Sequence, residues 1–550
     1  MNTWLLFAPP PHGAEDPLPG LQKVMQARLA SQACSRAAAR PALGMNLGVV
    51  RAAPPIPELS PETADRIADL RLEALFDGMA GQDAFVRETV RLLVPLALTE
   101  PDAIRYRQAT IRDGLRCPEA VLALYQEVAA VVEAVSDYRL AHQPGYAEAV
   151  PVSVKTDHAV GLLALLLAKG ARLRERVVDA ASGFQSAGFR DLARQLAEGL
   201  SEAFLRDAEA HLDALSLLSR GGRLVIGATL GTGCKPHDGV LRGVLPPQAR
   251  ERGGIPLGNI ALARSADEMR VAALTPVLRL VTRLADELFR FLSRLQVELA
   301  FVAGACRLAD ALRASGLPLC FPDPMASEAA GAFETKGLVD GVLALTGQAR
   351  PVPNDLAPTA ASLFLITGAN QGGKSTFLRS VGLAQVMLQC GLFVTASTYR
   401  SRVYDGIYTH FAREEDPGMT HGRLEEELVR MDRILNRMTP RSLLLLNESF
   451  ATTTERDGAR IASGLLLALH EAGATLMVVT HLYECAAGLH AARLPGTLFL
   501  RAERSASGSR SFRILPGEPL STSHANDLYE AVMQRDSAPL HEMRMARCVP

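Results

Sequence analysis

Apolar positions along the chain fall into three textures. From about 61 to 215 they recur every three or four residues, the spacing of helices with one buried face. Ile67, Leu70, Leu72, Leu75 and Phe76 mark the first such stretch, within Arg66–Met79. From Asp191 onward, Leu192, Leu196, Leu200, Phe204, Ala208, Leu212 and Leu215 form one stripe, with Arg194, Glu198, Glu202 and Arg206 elsewhere. Coiled-coil-like packing is the ordinary explanation of that stripe. Near 222–262 the period shortens, and Arg223–Gly227 reads as a strand followed by Gly- and Pro-containing turns. A second long helix then begins, with Ser265 and Glu268 at capping-box spacing. Leu274, Leu278, Val281, Leu284, Leu288, Leu292, Leu295, Leu299 and Val302 carry it to about Arg313, on the order of 70 Å at 1.5 Å per residue, with Pro276 predicting a kink near its start. Past a joint at 316–360 punctuated by Pro318, Pro322, Pro324, Gly331, Pro351, Pro353 and Pro358, the texture becomes α/β.

These textures predict a multidomain chain. Residues 1–60 form a Pro-rich arm, since nine of the 33 prolines fall there, with room for one short helix around Leu21–Ala30. Residues 61–335 form a mainly α-helical core and lever region with a short β insertion near 222–262. Residues 336–550 form an α/β domain. Hydrophobic residues make up 48% of the 550 and charged residues 21%, which excludes a disordered chain. Lys plus Arg number 58 and Asp plus Glu 59, so the chain as a whole is no polybasic nucleic-acid binder, though a local basic groove remains compatible. The longest apolar run, Ala159–Ala168, ends at Lys169, short of a membrane span. Met1–Ala8 has an apolar patch with no preceding positive charge, a poor signal peptide. The eight cysteines contain no CxxC pair, which predicts reduced thiols and a cytoplasmic location.

The chemistry concentrates late in the chain. Leu363–Thr367 is an apolar strand run. It leads into Gly368, Ala369, Asn370, Gln371, Gly372, Gly373, Lys374, Ser375 and Thr376, and a helical pattern follows. GxxxxGK[ST] between a strand and a helix is the context of a phosphate-binding loop. Glycines let backbone N–H groups curl around phosphate oxygens, and the helix N-terminus adds its dipole. Lys374 would bring a charge to the β and γ phosphates of ATP, and the Ser375 hydroxyl would ligate Mg²⁺. About seventy residues on, Ser442–Leu446 reads as a second strand, ending in Asn447 and Glu448. Glu448 stands where a general base would activate water. Asn447 occupies a position that usually holds an Mg²⁺-assisting aspartate. It can still accept a hydrogen bond from metal-bound water, without the charge. A third strand, Ala474–Thr480, ends at His481, placed to hydrogen-bond the γ-phosphate. Thr452–Gly458 reads as a polar loop before a helix at Ala459–Ala472. Glu425, Glu426 and Glu427 lie on a helix running to about Leu435, where a solvated face is the simpler reading, and Glu414, Glu415 and Asp416 precede Pro417.

Residues from about 340 to 530 resemble the ATPase domain of the MutS family of DNA mismatch-repair proteins. The stretches that carry the resemblance are ITGANQGGKSTFLRSVGLAQ, LLLLNESFATTTERDGARIA and VVTHLYE, with FRILPGEPLSTSHANDL as a closing strand and helix. More weakly, 61–320, and DAIRYRQATIRDGL within it, resemble that family's helical core and levers. The resemblance implies an ABC-type P-loop ATPase using ATP and Mg²⁺, a homodimer with nucleotide at the subunit interface, and contact with DNA. By position, Gly368–Thr376 would be the phosphate loop, Ser375, Asn447 and Glu448 the metal-side residues, and Glu448, His481 and Lys374 the catalytic ones. Gly422, Arg423 and Asp457 would act at the dimer interface. Neither a mismatch-reading domain nor a full clamp domain is evident, so the expectation is a divergent ATP-dependent DNA clamp. The alternative is a nucleotide-dependent protein-interaction switch with little hydrolysis.

Overall fold

The computed structural model describes residues 5–7, 59–142, 150–218, 222–232, 236–249, 263–326, 333–347, 350–413, 422–504 and 510–519. The helix expected around Leu21–Ala30, the rest of the Pro-rich arm, Glu414–Asp416 and the closing helix after Pro519 lie outside the described residues. Among the described residues no helix is long and apolar enough to cross a membrane. The architecture is mixed, helical and α/β, with several sheets.

Contacts divide the chain into two units. One contains Arg112–Ala303; the other contains Leu59–Ile111 together with the residues from Gly304 onward. Residues 61–111, which the apolar pattern groups with the helical region, belong with the α/β unit.

In the α/β unit, α1 (Pro61–Asp69) and α2 (Leu72–Ala80) replace the single stretch expected across Arg66–Met79. Arg71, with φ 55°, turns the chain between them. Asp83 caps α3 (Ala84–Leu93), accepting from the N–H groups of Phe85 and Val86. α4 (Pro101–Arg116) contributes residues to both units.

The helical unit continues with α5 (Pro118–Ala141), α6 (Val152–Ala180), α7 (Ala187–Gly199) and α8 (Glu202–Ser216). The stripe from Leu192 to Leu215 is therefore two helices. Gly199 weakens the run, and the Ser201 hydroxyl accepts from the Phe204 N–H to start a new helix. Phe204 is exposed, so the stripe is not one continuous buried seam. Asp113, fully buried, accepts from the N–H groups of Gln185 (2.8 Å) and Ser186 (2.6 Å) and pairs with Arg116. β1 (Arg223–Leu230) and β2 (Pro236–Leu245) form an antiparallel hairpin. α9 (Ala263–Ala314) runs 52 residues with Pro276 inside it. It begins at Ala263, before Ser265. The Arg139 guanidinium ties α5 to α9, pairing with Asp286 at 2.7 Å and lying 4.3 Å from the Phe289 ring centroid.

From Gly304 the chain builds β3 (Asp323–Met325), β4 (Phe333–Leu338), α10 (Gly341–Leu345), β5 (Asn354–Thr359) and β6 (Leu363–Thr367). Next come α11 (Lys374–Gln389), β7 (Thr398–Arg402), β8 (Ile407–Phe411), α12 (Arg423–Leu435) and β9 (Leu443–Asn447). α13 (Glu455–Glu471), β10 (Thr475–Val479), α14 (Tyr483–Ala491), β11 (Thr497–Arg504) and β12 (Arg510–Pro516) complete it. A six-stranded sheet has the order β12-β11-β6-β10-β9-β8, parallel except for β12, and a four-stranded sheet has the order β3-β7-β4-β5. The central strands are apolar without alternation because both faces are covered. Leu363, Leu365, Leu444, Leu446, Leu476 and Val478 pack with side chains of α12, α13 and α14. On the opposite face α11 lies so close that a Cβ at Gly382 would stand 2.5 Å from Leu445 Cδ1.

Candidate functional site

Register brings the predicted residues to one edge. Val479 pairs with both Ile366 and Asn447, so β6, β10 and β9 end at one level. Beyond the carboxyl ends of parallel strands is where α/β sheets hold ligands. A cleft of about 570 Å³ opens there, lined among others by Gly368, Asn370, Gln371, Glu448 and His481. Three motifs spread over more than a hundred residues thus meet at one opening.

The loop after β6 has the backbone its glycines permit. Gly368 has φ 112° and Gly373 φ 92°, and the non-glycine Gln371 has φ 58°. A Cβ on Gly372 would sit 2.8 Å from the Ala502 Cβ and 2.9 Å from the Ala369 carbonyl oxygen. The Gln371 side-chain oxygen accepts from Arg510 at 2.7 Å, fastening the loop to β12. Lys374 is buried, and its Nζ donates to the carbonyls of Gly368 (2.8 Å) and Ala369 (3.1 Å). Burial lowers its pKa, partly offset by the charge of Glu448. The ammonium is therefore folded back onto the loop's own carbonyls. Ser375 and Thr376 are half-buried in the first turn of α11.

Glu448 lines the cleft, and its N–H donates to the Val479 carbonyl at 2.8 Å. Its φ is 56°, a left-handed conformation that non-glycine residues adopt at a cost on the order of 1–3 kcal/mol. His481 is exposed and lines the same cleft. The Asn447 amide oxygen is buried without a hydrogen-bond partner, and so is the Thr367 hydroxyl at the end of β6. Buried oxygens without donors are costly. An oxygen-seeking cation with its bound waters would satisfy both, so the donor set fits Mg²⁺. Sequence reading missed Thr367; a hydroxyl closing an apolar strand just before the glycine loop was the available signal.

Gly422 and Arg423 are exposed at the start of α12 and do not line this cleft; Arg423 donates to the Arg413 carbonyl at 3.3 Å. Asp457 is exposed in the first turn of α13. Its carboxylate accepts from the Thr454 hydroxyl at 2.8 Å, and its N–H donates back at 3.2 Å. That reciprocal pair starts the helix at Glu455, four residues before the predicted Ala459.

Glu427 departs from the solvated-face reading. It is half-buried, and its carboxylate accepts from the Phe450 N–H at 2.7 Å. His410, Ser449, Arg430, Asp65 and Asp69 also went unread. Arg430, buried on α12, donates to Asp65 (2.9 Å), to Asp69 (2.6 Å) and to the carbonyl of Phe411 (2.9 Å). Arg413 pairs with Asp65 as well. Among the described residues five cysteines are unpaired, and no group of three or more metal-ligating side chains occurs.

Residues 99–315 match the model of the MutS2 N-terminal domain, and residues 364–505 match MutS domain V. DNA mismatch repair protein MutS of Thermus thermophilus is 36% identical over 205 residues, which are 36% of this chain and 24% of that protein. MutS of Thermus aquaticus is 38% identical over 174 residues, 32% of this chain and 21% of that protein. MutS of Rhodopirellula baltica is 34% identical over 162 residues, 27% and 18% respectively. The matched part of the chain thus spans a quarter or less of the length of these relatives.

Proposed function

The chain belongs to the MutS family, and from that premise we propose that it is an Mg²⁺-dependent ATPase of the ABC type, acting as a homodimeric, nucleotide-gated DNA clamp in mismatch repair or related DNA processing. The observation that carries this reading is the convergence of the glycine loop, Glu448 and His481 on one cleft. On binding ATP, Lys374 exchanges the carbonyls of Gly368 and Ala369 for phosphate oxygens, and the backbone N–H groups of 368–376 and the start of α11 take the rest of the charge. Glu448 accepts the proton of the attacking water. His481 hydrogen-bonds the γ-phosphate. Ser375, Asn447 and Glu448 would hold Mg²⁺, which neutralises charge on the phosphoryl group being transferred. Gly422, Arg423 and Asp457 would face the second protomer. DNA contact in this reading is to the backbone, so it weakens with salt and varies little with sequence.

ATP hydrolysis by the full chain, beside Lys374→Ala and Glu448→Gln, tests the enzyme. Binding to homoduplex, mismatched and branched DNA in low salt, with and without ATP, tests the clamp. Loss of turnover in both variants and ATP-responsive DNA retention are expected. No nucleotide binding by the wild type overturns the first part, and no binding to any of the DNAs overturns the second.

A second reading is a nucleotide-dependent protein-interaction switch. It is favoured by the uncharged Asn447 and by the near balance of basic and acidic residues along 201–300, which gives no strongly basic arm. ATP binding without Mg²⁺-dependent turnover, unaffected by Glu448→Ala, would select it.

A further inference from the structure

The turn that follows β9 holds two non-glycine residues in the left-handed region, Glu448 (φ 56°) and Phe450 (φ 62°). Such backbone persists where its neighbours over-determine it. The Phe450 N–H donates to the Glu427 carboxylate at 2.7 Å. Between these two residues, Ser449 Oγ lies 2.7 Å from His410 Nδ1. His410 Nε2 lies 3.1 Å from the Glu427 carbonyl oxygen. A carbonyl only accepts, so Nε2 bears the proton; in the neutral ring Nδ1 can only accept, and the one Ser449 hydroxyl proton faces both Nδ1 and the His410 carbonyl oxygen, 2.9 Å from Oγ. The His410 ring also stacks on Phe450, with centroids 5.7 Å apart. From the other side, α13 approaches so closely that a Cβ on Gly458 would stand 2.5 Å from the Phe450 carbonyl oxygen. Glu427 and the carbonyl that anchors His410 both belong to α12, whose first residue is Arg423.

We propose that Glu427 and His410 are positioning residues for Glu448: together they clamp its strained turn to α12, so that the seating of α12 sets where the Glu448 carboxylate points in the cleft. Displacement of α12 by whatever engages its exposed start would then misdirect that carboxylate without touching the glycine loop. The kinetic half of this inference rests on the reading of Glu448 as the hydrolytic base; the mechanical half does not.

Hydrogen exchange resolved by residue across 445–455 is compared in the full-length wild type, Glu427→Ala and Glu427→Gln, beside ATP affinity and turnover. In Glu427→Ala, exchange at the Glu448 and Phe450 amides should rise together by about tenfold or more, the loss of one charge-assisted hydrogen bond. The 368–376 segment should keep its protection. Turnover at saturating ATP should fall about tenfold with the Kd for ATP nearly unchanged. Glu427→Gln, whose amide oxygen accepts the same N–H, should restore both. Faster exchange at Phe450 alone, faster exchange everywhere, or a rise in Kd matching the loss of turnover overturns the proposal. A wild type that binds ATP without turnover, with the turn still loosening as a unit, upholds the positioning and removes the hydrolytic reading of Glu448.

Discussion

The ammonium of Lys374 donates to the carbonyl oxygen of Gly368 at 2.8 Å, inside the same loop that lines the cleft. The loop satisfies its own cation, so phosphate must displace a carbonyl rather than meet a free charge. Lys374→Met is expected to raise the Kd for ATP by about 10- to 150-fold, the range of one charged hydrogen bond at 1.5–3 kcal/mol. Equilibrium titration with a fluorescent ATP analogue reads this directly, and an unchanged Kd would remove Lys374 from the site.

Asn447 offers its buried, unpartnered amide oxygen where a carboxylate would supply charge. Asn447→Asp should tighten Mg²⁺ binding in the presence of ATP by roughly tenfold, the difference between a neutral and a charge-assisted hydrogen bond. Calorimetric titration of Mg²⁺ into the nucleotide complex measures it independently of turnover. Weaker metal binding in the aspartate variant would mean that Asn447 does not face the metal.

His410 is pushed down to about 4 from an ordinary 6.5, by burial first and then by the positive charge of Arg430. With the folded value depressed, the unfolded chain takes up the proton more readily. Stability contributed by the neutral ring is complete above pH 6.5 and is lost progressively as pH falls toward 4, by up to about 3 kcal/mol. Urea unfolding at intervals between pH 7 and 5 should show this fall in the wild type and a flatter profile in His410→Gln. Parallel profiles would place the ring in contact with solvent.

Arg430 neutralises two carboxylates, Asp65 and Asp69, at 2.9 and 2.6 Å. Arg430→Met leaves both without their shared partner and should cost about 3–5 kcal/mol, as for other broken buried pairs. Adding Asp65→Asn and Asp69→Asn to that variant should recover most of the loss. Thermal denaturation of the three proteins checks it; failure of the triple variant to recover would show that packing of the guanidinium, not charge, holds α1.

Local signals made part of this protein legible. The glycine loop, Glu448 and His481 each sit at the end of an apolar strand run, so period and motif together put each at a strand end, while the register that gathers them at one sheet edge belongs to the fold. The long helix through Leu274–Val302 was visible because its spacing never breaks. What escaped were relationships made only by tertiary packing. Nothing near Glu427 in sequence distinguishes it from Glu425 and Glu426, yet it alone of the three meets the Phe450 N–H. The division of the 192–215 stripe turned on Gly199 and Ser201, a local stop and start overruled in the reading by an uninterrupted apolar spacing. The start of α13 was set late because Thr454 and Asp457 read as loop residues rather than as a reciprocal cap.

The pairing of Asp65 with Arg430 joins positions 365 residues apart. During synthesis at about 5–20 residues per second, α1 emerges roughly 20–70 s before Arg430 exists. The first helix of the α/β unit is thus among the last parts able to reach its native surroundings. A ribosome that pauses between Asp69 and Arg413 leaves a nascent chain that lacks both arginines, Arg413 and Arg430, that pair with Asp65 in the fold. For this polypeptide the native seat of α1 is complete only once α12 has been translated.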